Sequence, residues 1–256
     1  MNFFRALLLL FVSLGFTCSS SALPNMFDST FATRFAGDTI DFSGYQWVVK
    51  DSRGKTVGPG RNYFSCSKEN IWTDESGRLH LRVTYRDERW ICPEVQLIRP
   101  LGHGKYAFHI DPLHQDLDKD LVVGMFLYDY GDSEKHHHEI DIEFSTWGKE
   151  SDLNTQYVVQ PDVDKAFRFD TELLKPSIHC FEVSKKQVLF TSRYADTAYP
   201  SSKKDFTGWK KQKLGAGYTA QSSRVCINVW LYKATEPSDL KEFEIVVSKF
   251  EFTPED

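Results

Sequence analysis

The chain has 256 residues, of which 41% are hydrophobic and 14% aromatic, and its formal net charge at pH 7 is −5. This length suits one β-rich domain, and the composition supplies a large core with aromatic side chains left over for a ligand surface. The mildly acidic charge gives no electrostatic basis for binding nucleic acid or an anionic membrane. A neutral partner is therefore expected.

Residues 1–22 have the pattern of a secretory signal peptide. Arg5 supplies the positive start, Ala6 to Phe16 the apolar run, and Ser20-Ser21-Ala22 a small-residue cleavage site. The apolar run is shorter than the roughly 20 residues that a membrane span needs. We therefore expect residues 23–256 to form one domain, monomeric and either secreted or periplasmic, with no membrane segment.

From residue 36 onward, short alternating or apolar runs are separated by turn signals such as Asp51-Ser-Arg-Gly54 and Gly58-Pro-Gly60. There is no convincing long amphipathic helix and no internal repeat, so the pattern predicts a β-sandwich or barrel. The clearest predicted strands are Tyr45–Lys50, Leu79–Tyr85, Tyr106–Ile110, Leu121–Tyr128, Glu139–Phe144, Gln156–Val159, His179–Val183, Val188–Thr191, Val225–Tyr232 and Glu242–Phe252.

The cysteines of the predicted mature chain are Cys66, Cys92, Cys180 and Cys226. An even number in an exported protein predicts two disulfides, for which three pairings are open; four buried thiols are the alternative. No Cys or His spacing matches a zinc motif. The run His136-His137-His138 cannot direct all three rings at one ion, because consecutive residues of an extended chain point alternately. We expect these histidines in a loop or at a cleft rim.

Residues 139–144 read Glu-Ile-Asp-Ile-Glu-Phe. In a strand, Glu139, Asp141 and Glu143 would share one face and the apolar residues the other. Three like charges side by side repel each other. A sequence that accepts this cost on a strand with a core face is typical of a functional site.

Glycoside hydrolysis needs two carboxyl groups, about 5–5.5 Å apart for retention of configuration and about 6.5–9.5 Å for inversion. Strand positions four apart are separated by about 13 Å at Cα, so only a concave sheet would bring Glu139 and Glu143 close. Asp141 between them could hold a proton and tune both pKa values. The spacing does not say which pair acts, and Ca²⁺ binding or a solvated charged face remain alternatives.

The motif at 139–144 resembles the Glu-x-Asp-x-Glu signature of glycoside hydrolase family 16, the family of bacterial lichenases and laminarinases. The likeness covers most of residues 60–252, including Asn70–Thr84, Gly124–Tyr128 and Asn228-Val-Trp230. It implies an all-β, concanavalin A-like jelly roll of two curved antiparallel sheets. It also implies a Cys66–Cys92 disulfide, which leaves Cys180 to pair with Cys226.

By that resemblance, Glu139 would be the nucleophile and Glu143 the general acid/base, with Asp141 assisting. The implied activity is endo-hydrolysis of β-1,3/1,4- or β-1,3-linked glucan by double displacement with retention. A transglycosylase and a non-catalytic glycan-binding protein are the alternatives. The implied substrate-binding residues are Asn62, Glu94, Gln96, Phe126, Trp147, Asn154, Gln156 and Trp230.

The sequence departs from the family pattern at three places. Ser184 stands near an expected Trp, Gln96 where lichenases tend to have Arg, and Val246 where relatives can have a calcium-binding Asp. These departures leave the polysaccharide open and weaken the case for a structural calcium ion. No cofactor is therefore expected.

Overall fold

The computed structural model describes residues 38–196, 208–215 and 218–255; the predicted signal peptide at 1–22 lies outside this part. The described residues contain seventeen strands and three short 3-10 turns. The turns are Ser133–His138, Val163–Lys165 and Tyr232–Ala234. The strands are β1 (Thr39–Phe42), β2 (Tyr45–Val49), β3 (Tyr63–Phe64), β4 (Ile71–Thr73), β5 (Leu79–Arg86), β6 (Arg89–Cys92), β7 (Glu94–Leu97), β8 (Gly104–Ile110), β9 (Leu121–Tyr128), β10 (Ile140–Phe144), β11 (Thr155–Val159), β12 (Phe167–Phe169), β13 (Ser177–Val183), β14 (Gln187–Tyr194), β15 (Gly208–Lys213), β16 (Arg224–Leu231) and β17 (Phe243–Pro254).

The strands form two stacked sheets. The first has the order β1-β2-β7-β16-β9-β10-β11-β12, and the second has the order β15-β14-β13-β8-β17-β5-β6-β3, with β4 beside β5. All pairs between these named strands are antiparallel except β3 with β6. The predicted all-β sandwich of two antiparallel sheets is confirmed, and its arrangement is that of a jelly roll. In the described part of the chain, no helix is long and apolar enough to span a membrane.

Alternate side chains of the first sheet point into the core between the sheets. Ile140, Ile142 and Phe144 on β10 are each 0% exposed. The Phe144 ring meets His179 of the second sheet edge-on, with 4.7 Å between ring centroids. Because successive strand residues alternate faces, this inward packing turns the acidic positions of β10 to the opposite face of the sheet.

Most predicted strands are present, with their ends shifted by one or two residues. The predicted run Val225–Tyr232, for example, is the strand Arg224–Leu231. Glu139 lies just outside β10, because the 3-10 turn Ser133–His138 ends there; Glu139 has extended backbone angles (φ −74°, ψ 131°) that lead into the strand. Its place beside the other two acids is therefore kept.

Both predicted disulfides are wrong, because Cys92, Cys180 and Cys226 are buried thiols that are not disulfide-bonded. Cys226 is paired across the first sheet with Phe126 and therefore faces away from the core. Cys180 lies opposite Ala107 in the second sheet, in a small apolar cluster separate from the main core. The two sheets and the core stand between Cys180 and Cys226.

Cys92 belongs to the main core cluster, where its Sγ lies 3.6 Å from the Asn62 Oδ1. Cys66 is partly buried at the edge of the same cluster and is not bonded to Cys92. Burial raises the pKa of the Cys92 thiol to about 12 and raises that of Cys226 as well. The even cysteine count therefore misled the prediction, since at least three of these side chains are buried thiols, and Cys92 serves as a small apolar core residue.

Thiol labelling tests this correction. In the folded protein we expect iodoacetamide to leave Cys92, Cys180 and Cys226 unmodified, because they are buried and the thiolate is the reactive form. In denaturant without reductant, all three should become alkylated, as read by peptide mapping. Prior reduction serves as the control and should add no label at these positions. A Cys66–Cys92 or Cys180–Cys226 linked peptide would contradict the structure.

Candidate active site

The outward face of the first sheet forms the floor of a cleft with a volume of about 770 Å³. Its lining includes the acids Glu94, Glu139, Asp141 and Glu143 and the aromatic side chains Phe126, Tyr128, Tyr130 and Trp230. The cleft therefore combines a group of carboxyl groups with aromatic surfaces. This is the combination expected for a carbohydrate, whose rings have apolar faces and polar edges.

The strand register brings distant parts of the chain into one line across the cleft floor. Glu143 on β10 lies opposite Gln156 on one side and Gly124 on the other. Gly124 is paired with Asn228, which is paired with Glu94. Lys50 follows β2 beside Glu94, and Arg168 lies beyond Gln156. We call this line the central row; it consists of Lys50, Glu94, Asn228, Gly124, Glu143, Gln156 and Arg168.

The three acids of the motif share the cleft face, and their environment favours protonation. Asp141 is buried, and Glu139 and Glu143 are half-buried. Burial is the main cause that raises the pKa of Glu139 to about 7, and the Glu143 charge adds to it. Burial also raises the pKa of Glu143 to about 7, although Gln156 and Arg168 oppose this shift. Such carboxyl groups can exchange protons near neutral pH.

Asp141 is the least exposed of the three acids. Burial, followed by the charges of Glu139 and Glu143, raises the Asp141 pKa well above its ordinary value. A hydrogen bond between Asp141 and Glu139 raises the Asp141 pKa and lowers the Glu139 pKa. Asp141 is thereby suited to donate in this hydrogen bond and Glu139 to accept.

Two glutamine side chains hold the acids in place. The Gln156 Nε2 donates to the Glu143 Oε2 at 2.7 Å, and the Gln160 Nε2 donates to the Asp141 Oδ2 at 3.2 Å. Both amides stabilise the ionised form of their partner and lower its pKa. The geometry therefore gives each carboxyl group of β10 a fixed neighbour.

Four of the predicted substrate-binding residues lie at the cleft. Glu94, Phe126 and Trp230 line it, and Gln156 contacts Glu143. Trp147 does not line the cleft itself. Its ring packs edge-on against the cleft residue Trp230, with 6.2 Å between ring centroids.

The other three predicted residues have structural contacts instead. The Asn62 Nδ2 donates to the carbonyl oxygens of Pro59 and Leu231, and Asn62 is 3% exposed. Gln96 is 0% exposed, with its Nε2 3.4 Å from the Cys226 Sγ. The Asn154 Nδ2 donates to the Thr171 carbonyl oxygen, outside the cleft. The structure therefore does not bring Asn62, Gln96 and Asn154 to the cleft, and their substrate contacts stay a prediction.

Sequence reasoning missed Lys50, Gly124, Gln160 and Arg168. Lys50 and Gly124 line the cleft, Gln160 contacts Asp141, and the Arg168 charge lowers the pKa of Glu143. Nothing in their local sequence marks them, because each becomes relevant only through pairing with a strand elsewhere in the sheet. Knowledge of the strand order in the sheet would have been needed to identify these four residues.

The three histidines lie in the turn at the end of the cleft, where the sequence predicted a loop or rim. The His137 ring stacks on Tyr128 at 4.3 Å between centroids, and the His138 Nε2 lies 3.0 Å from the Asp132 Oδ2. Within residues 38–196, 208–215 and 218–255, no group of three or more His, Cys, Asp or Glu side chains is arranged to hold a metal ion. The expectation of no cofactor, structural calcium included, remains a prediction.

Comparison with known proteins adds the fold relationship. No family model matches the chain, and no curated protein matches it in sequence. The Bacillus licheniformis β-glucanase structure is similar, with a TM-score of 0.60 and 14% identity, over 86% of this chain and 99% of that one. A glycosyl hydrolase family protein from Mycobacterium fortuitum has a TM-score of 0.60 and 15% identity, over 81% and 91% of the two chains.

A third similar structure is an immunostimulatory antigen and pseudo β-1,3-glucanase of Mycobacterium tuberculosis. Its TM-score is 0.59 at 16% identity, over 82% of this chain and 91% of that one. At such identities the similarity shows the fold alone. The jelly-roll β-glucanase fold implied by the sequence resemblance is thereby confirmed.

The raised pKa values predict a stability cost at alkaline pH. The folded-state pKa of Glu143 is about 7, against an ordinary value of 4.5. Between these two pH values the folded protein binds more protons than the unfolded chain does, so it loses stability as the pH rises. Glu143→Gln, which cannot ionise, should therefore raise Tm more at pH 8 than at pH 5. A gain of ~1 kcal/mol in the free energy of unfolding corresponds to a Tm increase of about 2–4 °C.

Thermal unfolding of Glu143→Gln at both pH values checks this expectation. The matched control is Glu75→Gln, because Glu75 is exposed in a turn away from the cleft. Its Tm should differ from wild type by a similar amount at pH 5 and pH 8. An equal Tm change for Glu143→Gln at the two pH values would contradict the raised pKa.

Proposed function

We propose that the protein is a monomeric, secreted or periplasmic endo-β-glucanase that hydrolyses β-1,3/1,4- or β-1,3-linked glucan with retention of configuration. One observation carries the proposal: Glu139, Asp141 and Glu143 lie side by side in an aromatic-lined cleft, and both glutamates have pKa values near 7. This arrangement supplies an ionised carboxylate and a protonated carboxyl group at the same pH, which is what the reaction requires.

In the proposed mechanism, Glu139 is the nucleophile. Its carboxylate attacks the anomeric carbon, while Glu143 protonates the glycosidic oxygen of the leaving sugar, and a covalent glycosyl-enzyme forms. Glu143, now ionised, takes a proton from water, which then attacks the anomeric carbon and releases Glu139. The hydrogen bond from Asp141 favours the ionised Glu139 before attack and again as it leaves.

The roles of the two glutamates follow from their neighbours. Burial raises the pKa of Glu139 to about 7, and the hydrogen bond from Asp141 opposes this rise, which suits a nucleophile. Glu143 has its pKa raised mainly by burial, which suits a general acid. The aromatic lining of Phe126 and Trp230 offers flat apolar faces against which sugar rings can pack. The absence of a strong net charge on the chain agrees with an uncharged glucan.

A non-catalytic glycan-binding protein is the second candidate. The observation that favours it is the structural similarity to a protein described as a pseudo β-1,3-glucanase. The same cleft and aromatic lining would serve a binder. Three mutually repelling acids, two of them with pKa values near 7, are a cost that a binder has no need to accept.

Hydrolysis assays with Glu139→Gln test the proposal. The wild type should release reducing sugar from lichenan or laminarin, and we expect Glu139→Gln to lower turnover by about three orders of magnitude or more, because it removes the nucleophile while keeping its shape. Xyloglucan, agarose and carrageenan complete the panel. Glu75→Gln is the matched control and should keep full activity.

The other outcomes are distinct. A folded wild type that cleaves none of the polymers but is retarded by a glucan in affinity electrophoresis would identify a binder. Longer products formed in the presence of an added oligosaccharide would identify a transglycosylase. Activity that persists in Glu139→Gln would exclude Glu139 as the nucleophile.

The pH dependence gives a second test. Because Glu139 must be ionised and Glu143 protonated, the plot of kcat/KM against pH should be bell-shaped around pH 7. Gln156→Leu removes the amide that stabilises ionised Glu143. The Glu143 pKa should then rise, so the alkaline limb should move to higher pH while the acidic limb stays.

Initial rates across a pH series check this shift. Gln187→Leu, at the start of β14 in the other sheet, is the control and should keep both limbs. An alkaline limb that stays in place or moves to lower pH in Gln156→Leu would argue against Glu143 as the general acid.

A further inference from the structure

Lys50 has a buried ammonium group with three close neighbours. Its Nζ donates to the Glu94 Oε2 at 2.8 Å and to the Gly58 carbonyl oxygen at 2.8 Å. It also lies over the Phe64 ring, 4.2 Å from the centroid. The Lys50 side chain is 11% exposed. These contacts hold the ammonium in place, and one of them joins Lys50 to Glu94.

Glu94 is the residue through which Lys50 would act. It is 1% exposed, and its Oε2 accepts hydrogen bonds from both Lys50 and the Asn228 Nδ2, the latter at 3.1 Å. A buried carboxylate requires such compensation. The described residues give the other oxygen, Oε1, no hydrogen bond, although Glu94 lines the cleft. One oxygen is thus fixed and the other remains able to accept.

Asn228 and Gly124 complete the same part of the cleft floor. Asn228 is 1% exposed, and its Oδ1 has no hydrogen-bond partner among the described residues. A Cβ atom on Gly124 would lie 2.6 Å from this oxygen. The missing side chain of Gly124 therefore lets the Asn228 amide lie close over the sheet backbone next to Glu143. An unsatisfied buried acceptor costs free energy until a donor reaches it.

We propose that Lys50 is a positioning residue for substrate: it holds Glu94 so that Glu94 Oε1, together with Asn228 Oδ1, accepts hydrogen bonds from sugar hydroxyl groups above Gly124. This role rests on the proposed glucan hydrolysis. The ligand group is a neutral hydroxyl donor, because both of these atoms are acceptors and the Lys50 ammonium is already paired with Glu94. An anionic substituent would be repelled at this point.

Without Lys50, Glu94 would be a buried carboxylate with only the Asn228 amide as compensation. Such a group turns toward water to regain solvation. This movement removes the fixed acceptor from the cleft floor. The consequence would fall on substrate binding, whereas Glu139, Asp141 and Glu143 would keep their own partners, Gln156 and Gln160.

A double-mutant cycle tests the proposal. KM and kcat are measured for Lys50→Met, Glu94→Gln and the double variant Lys50→Met/Glu94→Gln. We expect Lys50→Met to raise KM about tenfold or more, with a smaller change in kcat, because the lost contact binds ground state and transition state alike. The double variant should be no worse than Glu94→Gln alone, because Lys50 acts through Glu94.

Two further variants complete the experiment. Lys165→Met removes an exposed lysine that is paired with Asp162 away from the cleft, and it should leave KM unchanged. Gly124→Ala places a Cβ against the Asn228 Oδ1, which must then move, and it should raise KM without removing any charge. Thermal unfolding confirms that each variant is folded. The double variant keeps the test decisive if Lys50→Met alone unfolds, because it removes both buried charges together.

Three results would overturn the inference. The first is an active wild type with an unchanged KM in Lys50→Met. The second is a further loss on adding Lys50→Met to Glu94→Gln, because Lys50 would then contact substrate itself. The third is a wild type that hydrolyses no glucan, which would overturn the proposed function and this role together. The first two leave the proposed function intact, so the failures are distinguishable.

Discussion

The packing of β10 onto the second sheet is the contact on which the rest of the site depends. Ile140, Ile142 and Phe144 are fully buried, and Phe144 meets His179 across the core. Since a strand alternates its faces, burying one set of side chains fixes where the other set points. A shift of one residue in register would place the acids in the core and the isoleucines in the cleft. Apolar packing thus determines the chemistry on the other side of the sheet.

The central row shows how the protein limits the cost of concentrating carboxyl groups. Glu143 has an amide donor in Gln156 and a cation nearby in Arg168. Glu94 has an amide donor in Asn228 and a cation in Lys50. Gly124 lies between these two groups of residues. The compensation is partial, because burial still raises the pKa of Glu143. Stability is thereby exchanged for reactivity, as is common at functional sites.

The sequence was informative where a property repeats along one strand. The alternation in residues 139–144 identified the shared face of Glu139, Asp141 and Glu143, and the strand pattern predicted the sandwich. It was uninformative where a property depends on which strands are neighbours. Lys50 and Arg168 become relevant only because β7 and β12 lie where they do in the sheet. The cysteines were mispredicted for the same reason, since counting them says nothing about the two faces on which Cys180 and Cys226 lie.

The order of strands in the first sheet also divides the site by sequence distance. The strands β9, β10, β11 and β12 are consecutive in both chain and sheet. The acids of β10, their glutamine partners and Arg168 therefore belong to one continuous stretch, residues 121–169. Asn228 joins it by pairing with Gly124, and Glu94, which holds Lys50, joins by pairing with Asn228; both pairings of Asn228 span more than a hundred residues. Contacts between nearby residues close small loops and form early, whereas distant pairings form late. The acidic half of the cleft can thus assemble as a local meander of β9 to β12. The half that contains Lys50 is completed only when β2, β7 and β16 have paired beside it.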